Sequence, residues 1–152
     1  MKQAALALSF ALAAVTLHAQ SLVTRVATVT IAVSDYDQAL DWYTQKLGLV
    51  KLQDRKFGDE RFVTVAPAGQ HDLEIALAKV GMTPAEREAG KSAVGKSGPM
   101  VFHTEDCRHT YAVLRERGVE FKEAPRDYPW GVQAVALDLY GNSIVLLQPR
   151  SR

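Results

Sequence analysis

Four side chains carry most of the chemistry this sequence offers: Thr28, Glu74, His103 and Trp130. Glu74 sits in Asp72-Leu73-Glu74-Ile75-Ala76-Leu77, where alternation puts Leu73, Ile75 and Leu77 on one strand face and the carboxylate on the other. A lone carboxylate in a small cavity can bind a cationic or hydroxyl-bearing ligand, or act as a base where burial raises its pKa. It can equally be half of a structural ion pair with an arginine such as Arg61, since buried charges are seldom left alone. Thr28 shares a polar strand face with Thr30 and Ala32. His103 lies on the face of Pro99 and Val101, as a hydrogen bonder or general base at a cleft rim or as an ordinary exposed histidine. Trp130, before Gly131, offers an aromatic wall together with Phe62, or plain packing at a strand start.

Two further signals weigh less. Gly90-Lys91-Ser92-Ala93-Val94-Gly95-Lys96-Ser97 spells the phosphate-loop string G-x-x-x-x-G-K-S, which needs a buried strand before it and a helix after it. Here polar residues precede it and Gly98-Pro99 follows at once, so a flexible linker is expected. Cys107 is the single cysteine, so neither an internal disulfide nor a multi-thiolate metal site is available, and a small core residue is expected.

The elements that must hold these side chains come in two similar sets. Asp35 can cap a helix whose Ala39, Leu40, Tyr43 and Leu47 form one stripe ended by Gly48; Asp106 does the same for Cys107, Tyr111 and Leu114, ended by Gly118. A strand precedes each cap, over Thr28–Val33 and Pro99–Thr104, and a strand closes each half, over residues 72–77 and 142–147. Between helix and closing strand there is room for two more strands, Val50–Gln53 and Glu60–Ala66, then Val119–Glu123 and Gly131–Asp138. Asp106 and Asp35, Pro99 and Thr28, and Val145 and Glu74 are each 71 residues apart, which points to an internal duplication of a βαβββ unit. Thr83-Pro84-Ala85-Glu86 has capping-box spacing and can open a short helix in the linker.

The chain has 152 residues, 47% hydrophobic and 23% charged, as expected of one compact domain. Lys and Arg number 18 against 17 Asp and Glu, so no basic surplus points to nucleic acid. Residues 1–19 read as a secretory signal peptide: Lys2, an apolar run from Ala4 to Leu17, then Leu17-His18-Ala19. The run is shorter than the roughly 20 apolar residues of a membrane span, so no membrane partner is expected after its removal. The protein is therefore expected to be exported, periplasmic or secreted.

Val33-Ser34-Asp35 with Leu40-Asp41-Trp42-Tyr43 and Lys46-Leu47-Gly48, Asp106 with Leu114 and Arg117-Gly118-Val119, and Trp130-Gly131 ahead of Asp138 and Gly141-Asn142 together resemble the vicinal oxygen chelate superfamily. This is the group of glyoxalase I, bleomycin-resistance proteins and extradiol dioxygenases. The resemblance spans residues 25–149, with module one at 25–79, a linker at 80–98 and module two at 99–149. It implies an α+β fold of two tandem βαβββ modules forming a curved open sheet around a cleft, often in a homodimer. It also implies a divalent metal at positions that fall on Thr28, Glu74, Pro99 and Val145, of which only Glu74 is a ligand type. His103 is roughly 13 Å along the strand from Pro99 and cannot stand in for it. One carboxylate does not make a catalytic site that needs about three protein ligands. No metal and no other cofactor are thus expected. The expected function is an exported module that binds a small organic molecule through Thr28, Glu74, His103 and Trp130. The rivals are a metal-dependent lyase, isomerase or dioxygenase resembling glyoxalase I, and an interaction domain with a filled cleft.

Overall fold

A computed structural model describes residues 23–58, 60–79 and 83–151; the expected signal segment lies outside the described residues. The first half runs β1 (Thr28–Ala32), α1 (Tyr36–Asp41), a π-helical stretch (Trp42–Lys46), β2 (Val50–Phe57), β3 (Glu60–Ala66) and β4 (Glu74–Ala78). A short helix, α2 (Pro84–Gly90), continues into one 3-10 turn, Lys91–Ala93. The second half repeats the plan: β5 (Met100–His103), α3 (Cys107–Glu116), β6 (Glu120–Tyr128), β7 (Gly131–Leu137) and β8 (Ser143–Pro149). The two sheets have orders β1-β4-β3-β2 and β5-β8-β7-β6. The α+β fold of two βαβββ modules is therefore present.

The helices start where short polar side chains satisfy their first free N–H groups. Asp35 Oδ1 accepts from Gln38 N, and Asp106 Oδ1 from His109 N, both at 2.9 Å. Thr83 and Glu86 form the reciprocal box expected of them. Each sheet buries its alternate apolar residues against its helix: Ile31, Val63, Val65, Ile75 and Leu77 in module one, Ala134, Ala136, Ile144 and Leu146 in module two. Ala39, Tyr43, Cys107 and Leu114 complete one continuous core. Cys107 is the core residue expected of it, and burial raises its thiol pKa.

The modules are joined by buried polar bonds and by a reciprocal pair of caps. The Tyr43 hydroxyl donates to Asp138 Oδ2 at 2.5 Å, both groups being buried. Asp138 also accepts from the backbone N–H of Tyr140 and Asn142 and from Asn142 Nδ2. Lys46 Nζ donates to the Arg117 carbonyl while Arg117 donates back to the Lys46 carbonyl. The two residues stand 71 apart and each cation sits at the carbonyl end of the other module's helix. A pseudo-two-fold relation between the halves gives that pattern.

The register corrects part of the duplication arithmetic. Thr28 stands opposite Glu74, but Val145 stands opposite Val101, not Pro99. Val33 N bonds to the Ala78 carbonyl and Thr104 N to that of Leu147, so the offset is 71 in the first strands and 69 in the last. A slip of two residues keeps every side chain on its face, which is why alternation alone does not reveal it. The edge strands β2 and β6 also run longer than expected, to Phe57 and Tyr128.

Candidate functional site

The faces turned away from the helices carry most of the expected polar groups. In module one, β1 and β4 bring Thr28 and Glu74 side by side. A β-bulge between Lys51 and Gln53 puts Gln53, not Leu52, opposite Thr64. From there Gln53 Nε2 reaches across β3 to both oxygens of Glu74, at 3.1 and 2.9 Å. Arg61 is not the partner of Glu74. It has the strand parity of Val63 and Val65 and so lies on the opposite, helix-side face. Its guanidinium instead pairs with Asp54 and Asp37, each at 2.8 Å, and that hydrogen bonding holds the Asp54 carboxyl below its ordinary pKa. Among the described residues no cation pairs with Glu74.

In module two, His103 stands opposite Leu147, and Leu147 opposite Gln133, so the three share one face. Trp130, 54% exposed, stacks flat on Tyr128 with ring centroids 4.8 Å apart and planes at 10°. Its indole N–H donates to Gln133 Oε1, which sets the ring orientation. A cavity of about 650 Å³ opens where the edge strands β1 and β5 face each other, lined among others by Val29, Thr30, Leu73, Met100, Val101 and His103. That size suits a small organic ligand. Of the four expected residues only His103 lines this cavity; Thr28 and Glu74 form a separate pair, and Trp130 stands at the end of the β6–β7 hairpin. Gln53, Thr64 and Gln133 were not foreseen, because their place depends on register.

The phosphate-loop string does not form a cradle. Its first glycine ends α2, and the element after Ser97 is the strand β5, not a helix. Ser97 N donates to Asn142 Oδ1, which clamps the segment to module two.

Residues 25–146 match the Glyoxalase/Bleomycin resistance protein/Dioxygenase superfamily. The chain belongs to this superfamily. The solved structure of UcmS2 is 35% identical, covers 83% of this chain and 98% of its own, and superposes with a TM-score of 0.75. TnmS3, an antibiotic binding protein from Streptomyces sp. CB03234, is 31% identical over 86% of this chain and 100% of its own, with a TM-score of 0.72. YurT of Bacillus subtilis (strain 168), an uncharacterized protein, is 33% identical over 126 residues, 82% of this chain and 98% of its own.

The superfamily implies a divalent metal, and the residues at its four positions do not fit one. Thr28 offers a neutral hydroxyl, and Pro99 and Val145 offer no side-chain donor. Glu74 has both oxygens engaged by an amide. Among the described residues no three His, Cys, Asp or Glu side chains are grouped to hold a metal ion.

Proposed function

We propose that this superfamily member binds a small organic molecule in the cleft of its two modules and does so without a metal. The observation that carries the reading is the donor set: one carboxylate, held by a neutral amide, where a catalytic metal needs about three ligands. TnmS3 supports the class of partner, since it is an antibiotic binding protein at 31% identity. The cavity between β1 and β5 favours an open binding site over a filled interaction cleft. A metal-dependent lyase, isomerase or dioxygenase would need further donors beside Glu74. Of the four expected groups, His103 meets the ligand in that cavity and Thr28 and Glu74 offer polar contacts on the neighbouring cleft face, while Trp130 stands apart at the end of the β6–β7 hairpin.

Elemental analysis of the purified protein tests the reading. Metal far below one ion per chain, with ligand-induced melting shifts unchanged by chelators, supports it. Near-stoichiometric Ni, Zn, Fe or Mn, lost together with an activity on chelation, overturns it. We further propose export through residues 1–19 and assembly as a homodimer. Protein recovered outside the cytoplasm and starting at Gln20, with the mass of two chains by light scattering, is the expected result.

A further inference from the structure

The duplicated modules provide an internal comparison of the cleft faces. In module one, Thr30, Ala76, Thr64 and Gln53 line up across β1, β4, β3 and β2. In module two, Val101, Val145, Val135 and Glu123 line up across β5, β8, β7 and β6. Both rows end at a bulge, between Lys51 and Gln53 and between Phe121 and Glu123, so they are equivalent places in the repeat. Thr64 and Val135 therefore occupy the same position, and they are 0% and 8% exposed. Val135 shows that an isosteric apolar side chain fills the place; the fold does not require a hydroxyl there.

The Thr64 hydroxyl is buried and has no hydrogen-bond partner. A buried unsatisfied hydroxyl is destabilising in the free protein. Directly over it runs the bond from Gln53 to Glu74. Those residues lie on β2 and β4, so their side chains must cross β3 where Thr64 and Ala66 lie, and both are fully covered. The partner that Gln53 gives Glu74 is a dipole, and no cation among the described residues competes for it.

We infer that Glu74, Thr64 and Gln53 form a subsite for a protonated amine of the ligand, with Gln53 as its displaceable roof. The inference rests on the small-molecule reading above. An ammonium group has three N–H donors and no acceptor. It replaces the neutral Gln53 amide on Glu74 with a donor that itself carries charge, so that an ion pair takes the place of a dipole on a carboxylate. Swinging Gln53 aside uncovers the Thr64 hydroxyl, whose oxygen accepts a second N–H of the same group. A ligand carboxylate would meet the charge of Glu74 and be disfavoured. The apolar body of the ligand extends toward the cavity at Thr30 and Val101, the edge-strand members of the two cleft rows.

Titrating the isotope-labelled full chain with benzylammonium, benzyl alcohol and phenylacetate, followed by NMR, tests this. Benzylammonium should shift the Gln53 side-chain amide signals saturably and bind about tenfold or more tighter than phenylacetate. Glu74→Gln should erase that preference, and Thr64→Val should weaken benzylammonium alone by several-fold. Gln53 signals that stay still, or equal affinity for amine and carboxylate, overturn the subsite. If benzyl alcohol then still moves the Val101 and His103 amides, the small-molecule reading stands; if none of the three moves a cleft residue, both fall.

Discussion

Replacing Tyr43 by Phe removes one oxygen from the interior and leaves the ring packing intact. The lost bond is the donation to Asp138 Oδ2 at 2.5 Å, between two buried residues on different modules. A hydrogen bond to a charged group contributes roughly 1.5–3 kcal/mol. Asp138 keeps three other donors, so its charge is not stranded and the loss should fall in the lower half, about 2 kcal/mol. For a domain of this size that is a fall in Tm of roughly 5–10 °C. The pH dependence supplies a second, independent number. Burial, and then the charge of Asp138, push the Tyr43 phenol far above its ordinary pKa of 10.0. The folded chain therefore keeps this proton where the unfolded chain loses it. The sign follows: the contribution of Tyr43 is complete below about pH 10 and falls by about 1.4 kcal/mol per pH unit above it. At pH 11 the advantage of the parent over Tyr43→Phe should shrink from about 2 to about 0.6 kcal/mol. Urea unfolding at pH 7 and pH 11, followed by the fluorescence of Trp42, whose ring lies 5.1 Å from that of Tyr43, measures both. A loss below about 0.5 kcal/mol at pH 7, or parallel alkaline slopes for the two proteins, would refute the reasoning.

Gly131→Ala should cost more than about 2 kcal/mol, because its φ is 149° and an added Cβ would lie 2.1 Å from the Gln148 carbonyl oxygen, within the β7–β8 pair. Gly58→Ala, with φ of 60° and open space around it, should cost only about 1 kcal/mol; equal melting temperatures for the two variants would count against the steric account. Lys46→Ala and Arg117→Ala should each lose about 0.5 kcal/mol in urea unfolding, because each removes a cation from a helix C-terminus. The double variant should depart from additivity by about 0.5 kcal/mol or more, since the two residues touch in one reciprocal pair; strict additivity would contradict that arrangement.

Much of the fold was legible in the chain itself, because its signals are local or periodic. Asp35 and Asp106 cap helices wherever those helices dock, since a cap needs only the N–H three residues on. Alternation in β5 and β8 separates core from cleft without knowledge of neighbours. The repeat was visible for the same reason. The site was less legible. Thr28 and Glu74 were named and do stand together, but the partner of Glu74 was sought among the arginines and is a glutamine.

What the sequence determined by itself, then, is the pair of modules, their capped helices and the face on which residues of the unbulged strands lie. Only the tertiary structure decided which residues meet across those faces. A strand repeats every two residues, so its pattern specifies a side but not a register, and a register can slip by two without changing the pattern. One extra residue at the bulge in β2 exchanges Leu52 for Gln53 opposite Thr64. The bond between Tyr43 and Asp138 joins residues 95 apart, a distance that packing of the two modules closes and local sequence does not encode.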